Sequence, residues 1–157
     1  MRGPHWLLVS GGILWAAAFP PGQAWAPPPS PSTPIVITEV RHLSFGTCDA
    51  VGGATYTVDA ADAPGAGACI GAHSARFEVT GEPNERVKLN YSKNISISNG
   101  TDTLTVKQSI APTGGNIRFD GSGNLTVFMG GEVRIPPGGL ASSASLSATS
   151  DVEVVYK

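Results

Sequence analysis

The strongest constraint on this chain is a period of two. From Arg76 onward, apolar and polar residues alternate in short runs, and turn-forming residues close each run. Phe77, Val79 and Gly81 alternate with Arg76, Glu78 and Thr80, and Val87, Leu89 and Tyr91 alternate with Arg86, Lys88 and Asn90. The pattern repeats at Ile95 and Ile97, Leu104 and Val106, Ile117 and Phe119, Leu125 to Met129, Val133 and Ile135, and Val152, Val154 and Tyr156. Side chains two apart share a face of a strand, so these runs predict strands with one buried face. Glu82-Pro83-Asn84, Pro112-Thr113-Gly114-Gly115, Asp120-Gly121-Ser122-Gly123 and Pro136-Pro137-Gly138-Gly139 are turn chemistry, and Asn99-Gly100 predicts a tight hairpin. No helical period is found outside the first residues. The expected fold is all-β, an antiparallel sandwich or barrel spanning 35–157.

The first strand breaks the pattern in an informative way. Along Ile35 to Phe45 the odd positions are apolar at both ends but carry Glu39 and Arg41 in the middle. One flat strand cannot bury those charges at low cost. The run therefore predicts either a bulge near Val40 or a crossing from one sheet to the other. Ala54 to Asp59 is strand-like, and Ala60 to Ala68 is small and glycine-rich. The 48–69 segment thus predicts a hairpin with an exposed tip.

The compartment follows from the N-terminus and the cysteines. Residues 1–26 have the form of a cleaved signal peptide: Arg2, an apolar stretch from Trp6 to Phe19, then small residues. Ala24-Trp25-Ala26 fits the cleavage rule, and Ala16-Ala17-Ala18 and Gly22-Gln23-Ala24 are alternatives. Residues 27–34 hold five prolines in eight positions and predict an extended tether. After processing no membrane span is expected. The expected localisation is outside the cytoplasm: periplasm, cell surface or secreted. Two cysteines in an oxidising compartment usually pair. A Cys48–Cys69 bond closes a loop of about 22 residues, worth on the order of 3 kcal/mol by chain entropy.

Function classes are then narrowed by exclusion. The net charge of -2 argues against a nucleic-acid partner, which needs a basic face. The domain offers only His42 and His73 as a general base, and no G-x-S-x-G elbow is present. Its carboxylates fall mostly on turns and solvent faces, and all three tryptophans lie in the leader. Asp120-Gly121-Ser122-Gly123-Asn124 has oxygen ligands at alternate positions, but Leu125 stands where a calcium loop needs Gly and Gly131 where it needs Glu. It reads as a turn. The expectation is no enzyme activity, no catalytic residue, no cofactor and no metal. Sequons at Asn90, Asn94, Asn99 and Asn124 matter only in a host that glycosylates exported proteins.

Three stretches carry a resemblance. They are Leu43-Ser44-Phe45-Gly46, then Ala75-Arg76-Phe77-Glu78-Val79-Thr80-Gly81-Glu82-Pro83-Asn84, then Asn124 to Lys157 with Gly130-Gly131 and the Val152-Glu153-Val154-Val155-Tyr156 end. The chain resembles the exported bacterial family filed as domain of unknown function 4402. It is more distantly similar to archaic chaperone–usher pilins and spore-coat-like subunits, and that similarity implies an immunoglobulin-like antiparallel β-sandwich over 35–157. The G-x-Y-x-G that usually precedes the last strand is absent, and the cysteine pair is not a family expectation. The resemblance implies a structural or adhesive, pilin-like surface subunit whose partners are like subunits or a periplasmic chaperone. The alternative is a monomeric periplasmic or secreted ligand-binding module, with Tyr56, His73 and Arg76 as candidate contacts. Strand pairing in the first reading centres on Ile35 and Ile37. These are expected to lie in their own sheet against Val152, Val154 and Tyr156.

Overall fold

In a computed structural model, residues 30–49, 51–62, 69–98, 101–140 and 151–157 are described. The leader, the first residues of the tether, the tip of the 60–68 loop and the Asn99-Gly100 turn lie outside the described residues. Eight strands follow in order: β1 (Val36–Arg41), β2 (Thr55–Val58), β3 (Ala75–Thr80), β4 (Val87–Tyr91), β5 (Asn94–Ser98), β6 (Thr103–Ala111), β7 (Asn124–Arg134) and β8 (Val152–Tyr156). Every pairing is antiparallel, and no helix occurs among the described residues. The larger sheet runs β1-β3-β7-β6-β5, with β2 also paired to β7, and β4-β8 forms the smaller sheet. The fold is an all-β sandwich.

Strand β7 is the spine, and it departs from the sequence expectation. The period of two gives separate runs at Leu125 to Met129 and at Val133 and Ile135, whereas one strand joins them through Gly130 and Gly131. One side of β7 pairs with β3 over Asn124 to Met129 and with β2 over Gly131 to Arg134. Gly130 sits at the gap between those partners. A Cβ there would meet the Val58 carbonyl oxygen at 2.1 Å and the Ala60 nitrogen at 2.5 Å. Glycine lets the chain leaving β2 cross the strand, so it marks a close approach and not a break. The pairing of β2 with β7 also replaces the expected 48–69 hairpin.

The first strand bulges as its charges require. Its register with β3 shifts between Glu39 and Arg41, leaving Val40 as the extra residue. The shifted register then persists. Ser44 bridges His73 and Thr47 bridges Ile70. The next opposed pair in that register is Cys48 and Cys69, and these form the disulfide, with Cα atoms 4.9 Å apart. The stretch from Val36 to Cys48 is therefore one interrupted edge ribbon, closed by a cross-strand disulfide. Arg41 turns its guanidinium to the Ser74 carbonyl (2.9 Å) and hydroxyl (3.2 Å), and to Asp62.

The core lies between the sheets, on the face that the alternation marks as apolar. Phe77 and Val79 from β3, Val127 and Met129 from β7, Val87 from β4 and Val154 from β8 pack together with Phe119. Beyond the reach of β4-β8, a second cluster joins Ile97, Leu104, Val106, Val133 and Ile135. Here Phe45, Tyr56 and Leu140 pack against the same cluster. Gln108 continues the inward face of β6 and sets its Nε2 3.2 Å from the Met129 sulfur.

Candidate functional site

The expected pairing of the N-terminal strand with the C-terminal strand is not made. Ile37 is opposite Val79 in β3, while Val152, Val154 and Tyr156 are opposite Tyr91, Leu89 and Val87 in β4. The physical reason lies just upstream. The chain that runs beside β8 contains Pro31 and Pro34, which have no N–H to give a ladder. Proximity survives without pairing. Residues 31–35 and Val154 to Tyr156 line a shared groove of about 420 Å³. Among the described residues β8 therefore has a ladder partner on one side only.

Side-chain hydrogen bonds hold the groove's two walls together. The Glu82 carboxylate accepts hydrogen bonds from the Thr33 amide (3.1 Å), the Thr33 hydroxyl and the Ser32 hydroxyl (3.3 Å). The Tyr156 hydroxyl donates to the Thr33 carbonyl (2.6 Å) and accepts from the Glu82 amide (2.7 Å). Hydrogen bonds from Thr33, side chain first and then backbone, hold the Glu82 carboxyl below its ordinary range. Residues 32 and 33, which composition assigns to the tether, are thus latched to the sandwich. This latch is what sequence reasoning missed.

Two of the sequence motifs meet at that latch. In the stretch from Phe77 to Asn84, Phe77 and Val79 fill the core. Gly81 leaves room for its neighbours, because a Cβ there would meet the Phe119 ring at 2.5 Å and the Tyr156 hydroxyl at 2.8 Å. Glu82 supplies the carboxylate, and Asn84 takes the left-handed turn conformation at φ 62° that Asn tolerates well. The C-terminal motif supplies Tyr156, whose ring meets Phe119 edge-on at 6.0 Å.

The three candidate ligand contacts do not form one pocket. Tyr56 is opposite Val133, on the inner face, and its hydroxyl donates to the Asp49 carbonyl. Arg76 is opposite Phe128, one step out of phase on β7, so it lies on the outer face and pairs with Glu78 at 2.6 Å. Directly opposed residues share a face, and that parity separates Tyr56 from Arg76. His73 contacts the His42 ring edge-on at 5.5 Å. His73 Nδ1 and Arg76 Nε are buried without a hydrogen-bond partner.

Other chemistry is spent on structure. Asp120 accepts backbone hydrogen bonds from Ser122 and Asn124, both at 2.8 Å, which close its own turn. The bonds from Asn124 and then Ser122 lower its pKa. Among the described residues there is no group of three or more side chains suited to hold a metal ion. No helix among them is long and apolar enough to cross a membrane.

The geometry defines a class first: an antiparallel β-sandwich with a disulfide-closed edge ribbon and a latched N-terminal strap. Within that class the chain belongs to the family described as Domain of unknown function (DUF4402), which matches residues 35–156. No curated protein and no solved structure matches the chain.

Proposed function

We propose that this protein is an exported, non-enzymatic surface subunit with a structural or adhesive, pilin-like role. The observation that carries this reading is the one-sided β8 strand. Its free side faces a groove covered by a proline-bearing strap that makes side-chain bonds and no ladder. A sheet edge left in that state can accept a strand from a like subunit or a chaperone, with main-chain bonds giving affinity and alternate side chains giving register. The immunoglobulin-like assignment of the sandwich belongs to the same proposal. Export is supported by the disulfide.

The test is size. Light scattering after size exclusion is run on the full chain as the cell releases it, beside a version that begins at Leu43. Chains of subunits formed by the first and a folded monomer from the second support association through the N-terminal strands. A monomer that unfolds on truncation makes that strand wholly internal and removes the pilin-like role.

One observation favours the ligand-binding module instead, the two unpartnered nitrogens of His73 and Arg76. A buried polar atom without a partner costs about 1–3 kcal/mol, and an acceptor bound at Arg76 Nε, a donor in every state, would relieve that cost. Saturable anion binding lost in Arg76→Leu, measured by calorimetry, is the result that reading requires.

A further inference from the structure

We infer that the free edge of β1 pairs with the same edge of a second copy, around a two-fold axis at Thr38. This goes beyond the role proposed above and uses a different edge. Among the described residues β1 ends the larger sheet and has β3 on one side only. Of the exposed large apolar side chains among the described residues, Val36 (54%), Ile37 (38%) and Val40 (55%) fall on this one strand. The opposite edge, β5, presents Asn94, Ser96 and Ser98 to solvent instead. A formed edge strand rich in exposed β-branched residues is a template for another strand.

The sequence of β1 suits a copy of itself. An antiparallel pairing centred on Thr38 sets Val36 opposite Val40 of the second copy, and Val40 opposite its Val36. Thr38 meets Thr38. Glu39 is the sole charge between Val36 and Val40, and it falls opposite Ile37 and not opposite its own copy. Like charges are thus not directly opposed, and aliphatic and Thr–Thr cross-strand pairs are favourable. The bulge at Val40 sets where the pairing stops.

Two fastenings keep this edge in place. The disulfide Cys48–Cys69 holds one end of the ribbon, and the Thr33–Glu82–Tyr156 latch holds the other. An incoming strand therefore meets a formed edge whose ordering cost was met on folding. The contact is short and falls below the roughly 1,200 Å² of a standard interface, so the dimer is weak and concentration-dependent.

The experiment uses the full chain as released by the cell, with three variants. Thr38→Cys places a thiol on the axis, Ser96→Cys places one on the opposite edge, and Val36→Lys with Val40→Lys charges the exposed stripe without touching the core. Sedimentation velocity over a concentration series should show monomer and dimer, with dimerisation weakened by about tenfold or more in the lysine variant. Oxidation should link Thr38→Cys into dimers and leave Ser96→Cys largely monomeric. A monomer at all concentrations, equal linking of both thiols, or a dimer indifferent to the lysines overturns the inference. So do open-ended chains, although these would leave the subunit role standing. A two-fold dimer in a protein found free in the periplasm would do the reverse.

Discussion

Glu82 and Tyr156 show how two residues far apart in sequence can decide what an exposed edge does. The Glu82 carboxylate accepts hydrogen bonds from Thr33 and Ser32 in the folded chain; these are stronger to the ionised form, and its pKa is lowered accordingly. A group with a depressed folded pKa contributes stability above its unfolded value, and loses it as pH falls through the folded value. Hydrogen exchange at the Thr33 amide should therefore quicken as pH drops below the ordinary carboxylate range, after correction for intrinsic rate. In Glu82→Gln that dependence should flatten. An unchanged profile in the variant would show that the carboxylate does not hold the strap. None of this was legible beforehand, because Thr33 sits in a stretch whose prolines announce only stiffness. The core positions were legible, since Phe77, Val79, Val127 and Met129 follow the period of two and are buried as it requires.

At the scale of elements, the edge ribbon explains the disulfide. Register carried past the bulge through Ser44↔His73 and Thr47↔Ile70 brings Cys48 opposite Cys69, so the bond extends a ladder already formed. Replacing both cysteines by serine should cost about 3 kcal/mol in urea unfolding, the chain-entropy value for a loop of this length. Beyond that global loss, hydrogen exchange should show extra fraying at residues 42–48 and 69–74 relative to β3, β7 and β6. A variant as stable as the parent would mean that the isolated bridges alone hold the ribbon. The bulge itself was readable from Glu39 and Arg41, whose charges forbid a flat buried strand. The partner of that strand was not. Pairing is a non-local choice, and apolar alternation in β1 fits β3 and β8 equally well. What decides it is Pro31 and Pro34, which lie outside the strand and deny a ladder beside β8. Similarly, Gly130 looks like a terminator in sequence and acts as a crossing point in the fold, because its contact with Val58 is long-range.

For the whole molecule, a six-stranded sheet faces a two-stranded one among the described residues, and Phe45 and Leu140, outside the strands, pack on the cluster that holds Val106 and Val133. Such a sandwich has more edge than it closes, and its edges are where a surface subunit would meet its neighbours. Fold class was accessible from periodicity and turns alone. The proposed site was not, because the proposal places it on main-chain edges, which every strand owns and no side-chain motif marks. The central claim is that the protein acts outside the cytoplasm as an assembled, non-enzymatic subunit. The most direct measurement is amine cross-linking on intact source cells, followed by separation of surface and soluble periplasmic fractions and detection of this chain. The account predicts a ladder of species in the surface fraction, spaced by the mass of one processed chain or of one chain plus a chaperone-sized partner. A single uncross-linked monomer confined to the soluble fraction would contradict it and leave the ligand-binding module in its place.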